Sequence, residues 1–427
     1  MASGTGTGPR RMVLCLDGTG CHFRGTEKDT NIVKLYQCLD RSAPGQFDYY
    51  QPGIGTYIKG QTRSKRFWPV VKSAIVNAVD RAFGTSFEDH VLAGYTFIMR
   101  QYMPGDQIYI FGFSRGAYTA RFLAEMIHEA GLLSTGNDEL VPFAWDTFSN
   151  FQTSRGNVPQ TEKDEAARQY MEKFKLTFCR PHVGVHFLGL FDCVNSVGQF
   201  EIPLNRRSYR YIATPAAKHI RHAVSIHERR LKFKPALFLL NDENVDLKEV
   251  WFAGNHGDVG GGWSLEKGQK HLLSDIPLSW MMQEVSRLPE STSTLSLQSS
   301  LTAGIAEAEH VFLNKVLDAT AFEARQRTHR PHDKLKVGHG VGTLSVAFWW
   351  LIECLPIFTR LELENGKWVP RHCPPNMGAR RDIPLDAEIH PSVAEMVKAG
   401  ILQGSLIPVK GGDNPNLSSV PSVRKLS

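Results

Sequence analysis

Ile108-Tyr109-Ile110-Phe111-Gly112-Phe113-Ser114-Arg115-Gly116-Ala117 reads as a buried strand that runs into a Gly-x-Ser-x-Gly turn. A helix-forming segment, Ala117 to Ala130, follows without a break. In that setting the serine sits on a sharp strand-to-helix turn, and the two glycines permit the close backbone approach the turn needs. Its hydroxyl is held clear of the backbone at the positive end of a helix, open to an incoming carbonyl. Ser114 is therefore the candidate nucleophile, and a purely structural turn serine is the rival reading.

Outward from this stretch, short apolar runs alternate with helical segments, the mark of a parallel sheet covered on both faces. Met12 to Leu16 is a strand ending at Asp17-Gly18-Thr19-Gly20, and Val183 to Phe191 is another ending at Asp192. Glu249 to Ala253 is a third, followed by the glycine-rich Gly254 to Gly262. Helices are expected over Thr30 to Leu39, Phe87 to Tyr102, Thr161 to Phe174 and Ser274 to Leu288. Lys218 to Arg230 reads as an amphipathic helix, and Ser134 to Gln160 as polar loop or lid. The fold class that follows is α/β: an α/β-hydrolase-like, doubly wound, mostly parallel sheet with insertions and a C-terminal extension. Residues 10–335 form the expected catalytic domain, with 134–178 as a lid or insertion. Residues 336–427 form the extension, expected to be flexible after about 405.

The 427 residues carry a formal net charge of +6 and are 42% hydrophobic, enough for a packed core and without a nucleic-acid-binding module. The basic cluster Lys59, Arg63, Lys65, Arg66, beside Trp68, reads as a solvated loop, with an anion or membrane-headgroup contact as the alternative. Seven irregularly spaced cysteines with no Cys-x-x-Cys argue for free thiols in a reducing, cytoplasmic compartment. Met12 to Leu16 is too short for a signal-peptide core. Leu344 to Phe358 contains Glu353 and falls short of the roughly 20 residues of a membrane span. It reads as a buried helix. Adjacent Phe348, Trp349 and Trp350 keep open an interfacial helix and a peripheral membrane contact.

A serine hydroxyl needs a base, and an imidazole serves when a carboxylate orients it. Sites in such sheets form at the carboxyl ends of strands, where Asp192 and His256 both fall. The order Ser114, Asp192, His256 is that of α/β-hydrolases. His219, His222 and His227 compete for the base role. Asp258, two residues past His256, is the alternative acid or a support for its loop. The oxyanion donors expected are the Arg115 amide and those of Gly18 and Thr19. Asp17 is read as structural or, with Asp192 and Asp258, as a ligand of a hard cation. The triad chemistry itself needs no metal or organic cofactor.

Taken together, Leu16-Asp17-Gly18-Thr19, Gly112 to Tyr118, Phe191-Asp192-Cys193-Val194 and His256 to Gly262 resemble an uncharacterised α/β-hydrolase family related to the type VI secretion phospholipase effectors. Thr30-Asn31, Gln51 to Gly55 and His227 to Arg230 add to the resemblance, which covers about residues 10 to 290. It implies an α/β-hydrolase fold and a triad of Ser114, Asp192 and His256. Cys193, Asn195, Asn255 and Gly257 depart from the family pattern without removing a triad member. The expectation is a serine hydrolase, a lipolytic carboxylester hydrolase or phospholipase working through an acyl-enzyme. An inactive binding protein and a cation-dependent phosphoester hydrolase using Asp17, Asp192 and Asp258 are the rivals.

Overall fold

The structure, a computed structural model, describes residues 9–56, 72–154, 161–194, 216–238, 245–266, 271–288, 295–299, 301–303, 305–306, 330–354, 360–364, 367–371 and 373–402. The basic cluster beside Trp68, Asn195 and the tail beyond residue 402 lie outside the described residues.

The chain begins β1 (Arg11–Leu16), α1 (Asn31–Cys38), β2 (Gln46–Gln51), α2 (Lys72–Gln101), β3 (Gln107–Phe113) and α3 (Arg115–Glu129). It continues β4 (Leu132–Leu133), α4 (Val141–Ser154), α5 (Glu162–Phe178), β5 (Cys179–Arg180), β6 (Val185–Phe191), β7 (Ala217–Ser225) and β8 (Asp246–Phe252). It closes with α6 (His256–Gly260), α7 (Asp275–Ser286), α8 (Thr343–Glu353), β9 (Arg360–Glu364), β10 (Lys367–Arg371), β11 (Glu388–Ile389) and α9 (Pro391–Lys398). β4–β5 and β9–β10 are small antiparallel ladders. The other strands form one seven-stranded sheet, in the order β11-β8-β7-β6-β3-β1-β2, with every neighbouring pair parallel. This is the doubly wound, α/β-hydrolase-like arrangement expected from the sequence.

Strand periodicity sorts the core into two layers. Met12, Leu14, Leu16, Ile108 and Ile110 face α2 to α5, whereas Val13, Cys15, Tyr109, Phe111 and Phe113 face α1, α7 and α9. The runs look continuously apolar because both faces are buried. β1 lies between β2 and β3, so the chain reverses direction across the sheet there. Such a switch point opens a crevice at the carboxyl ends of the strands. Asp17 and Ser114 both begin at that crevice. None of the seven cysteines forms a disulfide. Among the described residues, no helix is long and apolar enough to cross a membrane.

Three expectations need correction. Leu344 to Phe358 is not a buried helix: α8 exposes Leu344, Phe348 and Leu351, and only Val346 and Glu353 of it are buried. Lys218 to Arg230 is not an amphipathic helix: Ala217–Ser225 is β7, in the middle of the sheet. Its His219, Arg221 and His222 suggested a polar helix face, yet all three are buried and paired. His219 meets Asp246 at 2.8 Å, Arg221 meets Glu284 at 2.5 Å, and His222 meets Glu249 at 2.8 Å. Nor is Ser134 to Gln160 all loop, since Val141–Ser154 is α4. Val141, Ala144, Trp145, Phe148 and Phe151 recur at helical spacing and join the core beside Phe122. Its many Ser, Thr, Asn and Gln residues masked that spacing.

The C-terminal segment reaches back to the sheet. β11 extends it at β8, pairing Glu388 with Val250 and Ile389 with Trp251. Val393 and Met396 of α9 bury against the same layer.

Candidate active site

Ser114 stands between β3 and α3 as the helix N-cap, at φ 58° and ψ −122°. A non-glycine residue there is strained, at a cost of about 1–3 kcal/mol, and must be held by its neighbours. Its amide donates to Phe191 O at 3.0 Å. The flanking glycines let the turn close. A Cβ on Gly112 would lie 2.5 Å from the Ala117 Cα, and one on Gly116 would lie 2.3 Å from the Leu16 carbonyl oxygen. Strand, helix and the end of β1 thus meet at distances no side chain tolerates.

His256 and Asp192 converge on this serine. His256 opens α6, which Asn255 caps by accepting from the amides of Gly257 at 2.9 Å and Asp258 at 3.1 Å. Two of the residues that depart from the family pattern, Asn255 and Gly257, therefore serve the cap that presents the histidine. His256 Nε2 is 2.7 Å from Ser114 Oγ, and His256 Nδ1 is 2.6 Å from Asp192 Oδ2. Asp192 is wholly buried, Ser114 and His256 nearly so. Asp192 takes φ 42°, and its amide donates to Ala223 O at 2.7 Å.

The imidazole is packed on both sides. Phe113 stacks on it at 4.7 Å between ring centroids, and Phe233 meets it edge-on at 4.7 Å. Burial pushes the His256 imidazole down, the Asp192 hydrogen bond opposes this, and the net is below the ordinary histidine value. The ring is therefore neutral near pH 7 and able to accept a proton. Burial alone would push the Asp192 carboxyl up. Arg381 and His256 more than reverse this and hold it below the usual carboxylate range. Arg381 donates from Nη1 to Asp192 Oδ1 at 2.6 Å and from Nη2 to Asp192 Oδ2 at 2.9 Å. Ser225 N adds a bond to Oδ1 at 2.8 Å.

The other candidates fall elsewhere. Asp258 faces away from the imidazole: it accepts from Asn255 N and His332 N, each at 2.9 Å, and meets His332 Nδ1 at 2.6 Å. It pins the loop. His219 and His222 are committed to β8, and His227 Nδ1 accepts from Gly254 N at 2.8 Å. The Asp17 loop passes over the serine, since a Cβ on Gly18 would lie 3.1 Å from Ser114 Cβ. The Gly18 amide, however, donates to Asp17 Oδ1 at 2.8 Å, which leaves Thr19 as the candidate donor from that loop. Arg115 supplies the first amide of α3, adjacent to Ser114. Asp17 accepts at Oδ2 from Thr30 Oγ1 at 3.0 Å and Tyr50 Oη at 2.9 Å. Asp17, Asp192 and Asp258 thus turn to separate partners. Among the described residues, no group of three or more His, Cys, Asp or Glu is arranged to hold a metal ion.

Sequence reasoning missed four residues around the imidazole. Glu228 accepts from the His256 amide at 3.3 Å and is ion-paired with buried Arg230 at 2.8 Å. Arg230 stacks over Phe233 at 3.6 Å, and Arg381 clamps Asp192. Glu228 and Arg230 lie in the quoted His227 to Arg230 stretch, which could have flagged them. Arg381 carried no local signal.

The uncharacterized protein YEL023C of Saccharomyces cerevisiae is 27% identical over 552 aligned residues, spanning 91% of this chain and 79% of the yeast protein. Two solved structures show weak likeness. One is the Tle1 effector bound to the VgrG spike from the type 6 secretion system: 19% identity, 62% of this chain and 53% of that chain, TM-score 0.34. The other is an uncharacterized protein from Pseudomonas aeruginosa: 18% identity, 75% of this chain and 53% of that chain, TM-score 0.37. The chain spans about half the length of these two structures. Residues 10–284 match the family described as "T6SS, Phospholipase effector Tle1-like, catalytic domain", a stretch that takes in Ser114, Asp192 and His256, and the chain belongs to that family of phospholipase-like hydrolases.

Proposed function

We propose that this protein is a serine hydrolase that cleaves carboxylic esters of lipids through an acyl-enzyme. The observation that carries the reading is the continuous hydrogen-bond chain from Asp192 through His256 to Ser114, at 2.6 and 2.7 Å, on a serine held at positive φ. Ser114 Oγ attacks the ester carbonyl as its proton passes to His256 Nε2. The Arg115 and Thr19 amides receive the developing oxyanion. His256 then protonates the departing alcohol, and the acyl group stays on Ser114. Water, deprotonated by the same nitrogen, releases the acid and restores the serine. Asp192 fixes the imidazole tautomer, with Nδ1–H facing the carboxylate and Nε2 facing the serine.

An apolar acyl substrate fits the surroundings. Trp349 of α8 packs on Phe233, which in turn touches His256. On the outer side of α8, Leu344, Phe348 and Leu351 are 87%, 58% and 56% exposed, an apolar stripe suited to the surface of a lipid aggregate. The seven free thiols fit a reducing, cytoplasmic setting.

The test is labelling by a fluorophosphonate probe with peptide mapping, beside hydrolysis of esters of increasing acyl length. The expected result is a label on Ser114, absent from a folded Ser114→Ala variant whose ester hydrolysis falls by a factor on the order of 10³ or more. A folded wild type that takes no label and cleaves no ester would sink the reading.

A further inference from the structure

Arg381 lies well beyond residue 284, where the family match ends, yet it is only 1% exposed and sits against the carboxylate of the candidate site. Its four terminal N–H bonds are all engaged. Nη1 donates to Asp192 Oδ1 at 2.6 Å and to Ser225 O at 2.9 Å. Nη2 donates to Asp192 Oδ2 at 2.9 Å and to Phe233 O. One planar group therefore joins three segments: the loop after β6, the end of β7, and the residue whose ring packs on His256. A two-point grip on both carboxylate oxygens fixes the plane of the carboxylate as well as its position. That plane sets where His256 Nδ1 must approach, and so where Nε2 points.

The charge pattern argues the same way. The groups facing the His256 imidazole from the packed elements are Asp192, Glu228, Arg230 and, through Asp192, Arg381. Two carboxylates and two guanidinium groups balance, so the neutral imidazole is the form this pocket accommodates. Without Arg381 the cluster carries an uncompensated negative charge. A buried negative charge beside an imidazole favours the protonated ring. A protonated His256 cannot accept the serine proton.

We propose that Arg381 is a positioning residue for the Ser114–His256 pair: by clamping Asp192 it aligns the imidazole and keeps it unprotonated at neutral pH. This inference rests on the serine-hydrolase reading for its kinetic consequences, though not for its structural ones. It also makes the site dependent on a segment outside the family-matched region.

The experiment compares full-length wild type, Arg381→Met and Arg381→Lys by two measurements. One is the pH profile of kcat/KM on a soluble ester, with the fluorophosphonate labelling rate. The other is the titration of His256 followed by NMR with labelled histidine. For Arg381→Met, kcat should fall about 100-fold with KM little changed. Both the acid limb of the profile and the His256 titration should move up by about one pH unit. For Arg381→Lys the charge remains but four planar bonds cannot be made, so kcat should fall about tenfold with the acid limb close to that of wild type. A loss of rate with no movement of the limb or the titration in Arg381→Met would mark a merely structural residue and overturn the proposal. If Arg381→Met does not fold, Arg381→Lys decides, and wild-type kcat in that variant overturns it. An inert, unlabelled wild type would defeat the serine-hydrolase reading alone, because the His256 titration still judges the clamp. A labelled wild type matched by both variants would defeat the clamp alone.

Discussion

The loops after β1 and β6 begin alike, yet their carboxyls are shifted in opposite directions. Asp17 and Asp192 are each the first residue past a buried parallel strand, 3% and 0% exposed, and each accepts a bond from a backbone amide. Burial is the largest influence on both and favours the neutral acid. Around Asp17 the donors are the Gly18 amide and the hydroxyls of Tyr50 and Thr30, and its carboxyl is pushed up to about 6. Around Asp192 they include the Arg381 guanidinium and the imidazole, and its carboxyl stays below the usual range. Magnitudes explain the split. A neutral hydrogen bond contributes about 0.5–1.5 kcal/mol net, whereas a full charge at about 4 Å contributes about 4 kcal/mol even at an effective dielectric of 20. Neutral donors soften the cost of burying a carboxylate, and a cation reverses it. In this sheet the carboxylate aligned with the serine and histidine is the one given a cation.

The strongest way to break that contrast is Asp192→Asn. Deacylation and labelling should slow by a factor of about 10³–10⁴, because the amide can stabilise the wrong imidazole tautomer. Stability should drop by about 3–5 kcal/mol, since Arg381 is left buried without its carboxylate. Urea unfolding measures the second effect apart from the first. Adding Arg381→Met to Asp192→Asn removes the orphaned cation, so the double variant should unfold at higher urea than the single one while remaining inactive. An Asp192→Asn protein as stable as wild type would mean that the ion pair is not what holds this loop.

How much of this could be read in advance follows the span of each contact. The Ser114 turn lies within ten residues, and steric limits at Gly112 and Gly116 write it into the local sequence. The strand ends at Asp192 and Glu249 to Ala253 were visible because both faces of a parallel sheet demand apolar runs. β7 was misread because its buried His219, Arg221 and His222 take their partners from β8 and α7, at Asp246, Glu249 and Glu284. A local window sees only the polar side chain, never the group that pairs with it. Arg381 is the extreme case. It bonds a residue 189 positions away, from a stretch read only as a C-terminal extension of the catalytic domain. Asp258 illustrates the converse: proximity in sequence to His256 made it a rival acid, but its bonds to Asn255 and His332 stabilise the turn.

The Asp17 side of the comparison gives the smallest and most specific prediction, Asp17→Asn. Asparagine keeps the shape: its oxygen can accept from Gly18 N, and its amide can donate to the Tyr50 or Thr30 hydroxyl. Because the folded-state value of Asp17 is raised from 3.8 to about 6, the folded protein binds this proton more tightly than the unfolded chain. Stability contributed at this position is then present at low pH and is lost as pH rises from about 4 to about 6. The loss is at most about 3 kcal/mol for a shift of this size. Asp192 works the other way, retaining its contribution through the same window and losing it only at lower pH. Unfolding free energies of wild type and Asp17→Asn should therefore be close at pH 4, and the variant should gain on wild type by about 1–3 kcal/mol at pH 7.5. Ester hydrolysis should change far less than in Asp192→Asn, since Asp17 touches neither the imidazole nor the serine hydroxyl. A stability difference between the two proteins that stays flat from pH 4 to 7.5 would mean that the hydroxyls of Tyr50 and Thr30 alone keep Asp17 ionised, and that burial beside neutral donors does not raise a carboxyl in this fold.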